Sequence, residues 1–187
     1  MGSQSERNNK KSKNVVAHAE ELALSMRELS DADVVQQARA SLSGDKHTDD
    51  KTLLAALSVA SERTLGMVPF NVQSQAVLRL LVGDVIQMAT GEGKTLVGAM
   101  AATGFALQGK RVHVVTVNDY LASRDAQWMR PLVEFFGLEV ASVTEKMTPE
   151  RRRKAYMADV TYAPVKEIGF DILRDNQITA REQAVQA

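Results

Sequence analysis

The short apolar run Val85 to Met88 leads directly into Ala89-Thr90-Gly91-Glu92-Gly93-Lys94-Thr95, and Thr95 opens a helical stretch that runs to Leu107. No other feature constrains the chain as tightly. A strand, a glycine-rich turn and a helix in that order point several backbone N–H groups at one spot, where the positive end of the helix dipole adds to them. The glycines let an anion approach that backbone without a Cβ in the way. Lys94 would reach the β- and γ-phosphates of a nucleotide, and Thr95 would place its hydroxyl on magnesium. Thr90, Gly91, Glu92, Gly93, Lys94 and Thr95 are therefore the candidate phosphate site. The competing description, a solvent loop before an ordinary helix cap, does not account for the ordered flanks.

The full Gly-x-x-x-x-Gly-Lys-Ser/Thr pattern asks for glycine where this chain has Met88. What remains is the variant found in helicase-like ATPases. Beyond the loop, the elements alternate. Residues 111–117 read as a β-branched strand, 122–136 as a helix, 139–143 as a strand and 159–162 as a short strand, and Thr148-Pro149-Glu150 opens a basic helix. Such alternation predicts parallel strands with helical crossovers, an α/β layered domain. Upstream, residues 14–66 carry three helical periodicities, with Ser30 to Asp33 and Asp49 or Asp50 as caps around a polar loop from Ser43. Residues 1–13 have no apolar side chain after Met1 and are expected to be a basic, disordered tail. The expected division is thus a tail over 1–13, a helical segment over 14–66 and the first part of a nucleotide-binding domain over 67–187.

Composition excludes several classes. The chain has 187 residues with 23 basic and 23 acidic side chains, so a generic nucleic-acid binder, which carries a basic excess, is disfavoured. It has no cysteine, hence no disulfide framework or thiolate zinc site. His18, His47 and His113 lack metal-ligand spacing. No apolar run reaches the roughly 18 to 20 residues of a membrane-spanning helix, and the N-terminus has no secretory h-region.

Three further features bear on function. Gln73, in Pro69-Phe70-Asn71-Val72-Gln73, could read adenine through paired donor and acceptor bonds while Phe70 packs on the ring. Val112 to Asp119 has the shape of a strand ending in a magnesium acid, but it follows the phosphate-loop helix immediately. Asp119 is better read as the N-cap of the next helix. Arg151-Arg152-Arg153-Lys154 could grip nucleic-acid phosphates, although a solvated helix face is the preferred reading.

The strings Met88 to Thr95, Val112 to Asp125 and Ile168 to Asn176 resemble SecA, the motor ATPase of bacterial protein export, and Pro69 to Gln73 resembles that family's adenine-contact segment. Ser74-Gln75-Ala76-Val77 and Tyr162-Ala163-Pro164-Val165-Lys166 depart from the housekeeping pattern and are more similar to accessory SecA paralogues of Gram-positive bacteria. The resemblance implies N-terminal helices followed by the first half of a RecA-like parallel-sheet domain that binds ATP or ADP with magnesium. It carries over Gln73 to adenine, Gly91 to Thr95 to phosphate, and Arg124 to the nucleotide from the next segment. It further implies a cytoplasmic protein held peripherally at the cell membrane, with a SecYEG-type channel, preproteins and an anionic membrane surface as partners and nucleic acid disfavoured. The Asp-Glu pair that the family uses for magnesium and water is expected beyond Ala187, so the isolated chain is expected to be inactive. A helicase lobe, or a nucleotide-binding module without catalysis, are the alternatives.

Overall fold

The computed structural model describes residues 4–42, 49–178 and 184–186. In chain order it contains α1 (Gln4–Met26), α2 (Asp31–Ala40), α3 (Asp50–Leu65), α4 (Asn71–Leu81), α5 (Lys94–Leu107), β1 (Val112–Thr116), α6 (Asp119–Phe135), β2 (Val140–Ser142), α7 (Pro149–Tyr156), β3 (Val160–Pro164) and α8 (Val165–Asp175). Local chemistry sets most boundaries. The Ser30 hydroxyl accepts from the Asp33 N–H at 3.2 Å and starts α2. Asp49 starts α3, accepting from the Thr52 hydroxyl at 2.6 Å and from the amides of Lys51 and Thr52. Thr148 caps α7 with Pro149 at its first position, where a missing N–H costs nothing.

The strands form a parallel sheet in the order β1-β3-β2, with Val160 of β3 opposite both Val112 and Val140. Central β3 is buried along its whole length, whereas β1 alternates half-buried and exposed residues. Helical and sheet parts share their packing. One apolar cluster runs from Val16 and Met26 through Leu53, Leu57 and Val77 to Met100, Met129 and Phe136, so the expected division near residue 66 falls inside a continuous core.

Several expectations need correction. The segment 4–13 is helical rather than a tail, and Ser12 is buried. Once the stripe from Val15 onward nucleates α1, extending it N-terminally adds one hydrogen bond per residue fixed. Residues 1–3 and most of the polar loop, 43–48, lie outside the described residues. Val85 to Met88 joins no ladder among the described residues, and Val85 is 99% exposed. A strand needs a neighbour, and this run pairs with neither open edge of the sheet, the outer sides of β1 and β2. The N-cap of α6 is Asn118, whose side-chain oxygen accepts from the Leu121 N–H at 2.9 Å, not Asp119.

The basic run on α7 is not a solvated face throughout. Arg152 is 3% exposed and pairs with Glu167 at 2.6 Å and Asp171 at 2.8 Å, both on α8. It also donates to the carbonyls of Thr144 and Glu145 at 2.9 and 3.0 Å, while Asp171 accepts from the Tyr156 hydroxyl at 2.9 Å. Burial opposes the charge on Arg152, but the hydrogen bonds to Glu167 and Asp171 outweigh it and hold the guanidinium above its ordinary pKa. Burial likewise raises the Tyr156 phenol.

Candidate nucleotide-binding site

The loop before α5 is built from glycines in the left-handed region, Gly91 at φ +87° and Gly93 at φ +78°. Gly93 is constrained twice, because a Cβ there would also overlap Nε2 of Gln73. α5 starts at Lys94 with no side-chain cap, which leaves its first N–H groups without the usual internal acceptor. Thr95 is the second residue of that helix.

Lys94 is exposed and folds back over its own loop, donating to the carbonyls of Ala89 at 2.8 Å and Met88 at 3.1 Å. Glu92 closes the turn. Its carboxylate accepts from the Ala89 N–H at 2.6 Å, and its own N–H donates to the Ala89 carbonyl at 3.3 Å.

Gln73 reaches this loop from α4. It is 7% exposed, and its Nε2 donates to the Glu92 carbonyl at 2.9 Å. Its Oε1 accepts from the Phe70 N–H at 2.9 Å, the reach-back of a third helical residue to its N-cap. Phe70 itself is 73% exposed, beside the amide that Gln73 holds. Phe70, Gln73 and Thr90 to Thr95 are therefore one connected assembly, although Gln73 and Glu92 are separated by 18 intervening residues in sequence.

Arg124 stands apart from it. The guanidinium lies on the second turn of α6, pairs with Asp125 at 2.7 Å and lies over the Tyr120 ring at 5.8 Å. The Asp125 hydrogen bond raises its already high pKa, so it is a permanent cation. Asp119 Oδ2 accepts from the Glu145 N–H at 2.9 Å, while its buried Oδ1 has no hydrogen-bond partner among the described residues. Among the described residues no group of three or more His, Cys, Asp or Glu side chains could hold a metal ion. A cavity of about 610 Å³ lined by Arg130, Leu138, Val140, Met147, Arg151 and Lys154, among others, shares no residue with the loop or with Gln73.

Sequence reading missed the carbonyls of Met88 and Ala89 as partners of Lys94, because backbone acceptors carry no side-chain signature. It also missed Arg152. There the signal was present: Ala155 and Tyr156 follow at helical spacing, and Glu167 and Asp171 stand four apart as matching acids.

No helix among the described residues is long and apolar enough to cross a membrane. The SecA DEAD-like domain matches residues 1–187. The chain is 60% identical to "Protein translocase subunit SecA 2" of Corynebacterium glutamicum over 100% of its own length and 24% of the relative's. It is 49% identical to the protein of the same name in Mycolicibacterium smegmatis, over 96% of this chain and 23% of the relative. It is 57% identical to "Protein translocase subunit SecA 3" of Mycolicibacterium vanbaalenii over 71% of this chain and 17% of the relative. The chain thus spans about a quarter of the length of the curated relatives that it matches over its whole length. A glycine turn at the N-terminus of α5, a parallel sheet flanked by helices and a domain match along all 187 residues converge on one assignment: the chain belongs to the SecA DEAD-like domain family.

Proposed function

We propose that this chain is the ATP-binding, N-terminal part of a motor that couples ATP hydrolysis to protein export across the cell membrane. The observation that carries the reading is the connected assembly of Gln73, Glu92 and Lys94 on the N-terminus of α5. The loop amides of Gly91 to Thr95 receive the phosphates, Lys94 exchanges its two carbonyl partners for phosphate oxygens, and Gln73 with exposed Phe70 meets the adenine. Thr95, a hydroxyl one residue after that lysine, is the ligand for magnesium brought in with the nucleotide. Magnesium supplies charge neutralisation on the phosphates when bound. Arg124 joins from α6 by leaving Asp125.

The chain by itself binds nucleotide and turns over no ATP above background. Asp119 serves as a brace on Glu145 rather than as the magnesium acid. Preproteins, a SecYEG-type channel and an anionic membrane surface are the proposed partners of the whole protein, which works on the cytoplasmic side of the membrane. The names of the relatives, which are translocase subunits, support this over a helicase. So does the burial of Arg152, which removes one member of the basic run from any phosphate grip.

Titration calorimetry with MgADP tests the reading. The parent binds and Lys94→Ala loses binding while keeping its circular dichroism spectrum. Equal affinity in the two would refute it. Salt-sensitive binding of single-stranded RNA would favour the helicase alternative.

A further inference from the structure

The two halves of the proposed nucleotide site are built with the same device. On the base side, Gln73 Oε1 accepts from the N–H of the residue three positions earlier, Phe70, at 2.9 Å. On the phosphate side, Glu92 Oε2 accepts from the N–H of the residue three positions earlier, Ala89, at 2.6 Å. A side chain that reaches back three residues to a backbone amide needs the length of glutamate or glutamine. The braces are then tied together, since Gln73 Nε2 donates to the Glu92 carbonyl at 2.9 Å. The Glu92 N–H returns a bond to Ala89 at 3.3 Å, and the Ala89 carbonyl in turn holds Lys94 at 2.8 Å.

We infer that the Glu92 side chain is a positioning residue: by holding the Ala89 N–H it fixes the turn that presents Lys94 to the phosphates and the carbonyl that holds Gln73. The inference rests on the proposed reading of this loop as a phosphate site. Geometry, not charge, is what the position requires. A carboxylate beside incoming phosphates repels them, and a glutamine keeps the reach without that repulsion. An aspartate keeps the charge and lacks the reach.

Three variants separate these effects. Glu92→Ala and Glu92→Asp should each release the Ala89 amide, so that its hydrogen exchange, read residue by residue by NMR, accelerates about tenfold. Both should weaken MgADP by about tenfold, the upper end of what one hydrogen bond that shapes the site contributes. Glu92→Gln should restore Ala89 protection and bring the affinity back to within about threefold of the parent, or above it. Ala89 exchange and ADP affinity unchanged in Glu92→Ala would overturn the inference, and so would full rescue by aspartate with failure by glutamine, which would make charge the cause. Lys94→Ala is measured alongside. If it binds ADP as the parent does, the phosphate-site reading itself falls. If it loses binding while Glu92→Ala does not, only the role of Glu92 falls.

Discussion

Replacing Arg152 by methionine removes one cation from the centre of two nearly buried carboxylates while keeping most of the side-chain volume. The side chain of Glu167 is 4% exposed and that of Asp171 is 0% exposed, so neither can recover its lost partner from water. Breaking a buried pair from one side typically costs about 3–5 kcal/mol. Here two pairs and the carbonyl bonds to Thr144 and Glu145 are lost together, while Lys166 at 3.6 Å from Glu167 and Arg174 at 3.3 Å from Asp171 remain as weaker partners, so the lower part of that range applies. That is a large share of the roughly 5–15 kcal/mol that holds an ordinary domain together. Arg151, its exposed neighbour, should cost no more than about 0.5 kcal/mol on the same change. Adding Glu167→Gln and Asp171→Asn to Arg152→Met should recover most of the loss, because no uncompensated charge is left. Urea unfolding of the four proteins, extrapolated linearly to water, measures this. Equal effects at 151 and 152, or no recovery in the triple variant, would show that the charges are not buried together.

Gly93→Ala should abolish ADP binding, since φ +78° is strained for alanine and its Cβ would displace Gln73; calorimetry showing parental affinity would contradict the loop geometry. The Asp49 carboxylate is held below its ordinary value of 3.8, chiefly by the Thr52 hydroxyl. Its stabilisation of α3 is therefore complete above that pH and lost as pH falls through the lower folded value. Asp49→Ala should cost about 1 kcal/mol at neutral pH, and the cost should shrink as the pH is lowered beneath the ordinary carboxylate range, by thermal unfolding at each pH. Lys10 and Lys13 are exposed on α1. Changing both to glutamine should reduce sedimentation with anionic liposomes at low salt by about 1 kcal/mol per charge, and unchanged sedimentation would remove the proposed membrane contact.

Where structure is decided by neighbours in sequence, it was legible. Ser30, Asp49, Thr148 and Pro149 mark helix starts because capping needs only residues three or fewer positions away. The glycine turn that opens α5 was legible for the same reason. The expected Val85 strand failed because strand formation depends on a partner, which a local apolar run cannot reveal. α8 escaped because its pattern is inverted. Glu167 and Asp171 face inward to Arg152 while Phe170, Ile172 and Leu173 are exposed, so the buried positions carry acids where a helix usually carries apolar side chains. In the candidate site, Gln73 and the loop were each readable, but the bond between them is a tertiary fact. Asp119 was separated from a metal role by its position in the chain order. The bond that its Oδ2 accepts from the Glu145 N–H had no sequence signal.

The central claim is that nucleotide phosphate binds on the N-terminus of α5 with Gln73 at the base end. A titration of the isotope-labelled chain with MgADP, followed through backbone amide and Gln73 side-chain resonances, tests it most directly. The largest shifts are expected at Gly91 to Thr95, with the Gln73 side-chain amide and Phe70 moving at the same nucleotide concentration. Shifts centred elsewhere, for instance around Val140, Met147 and Lys154, or no shifts at millimolar ADP, would contradict it.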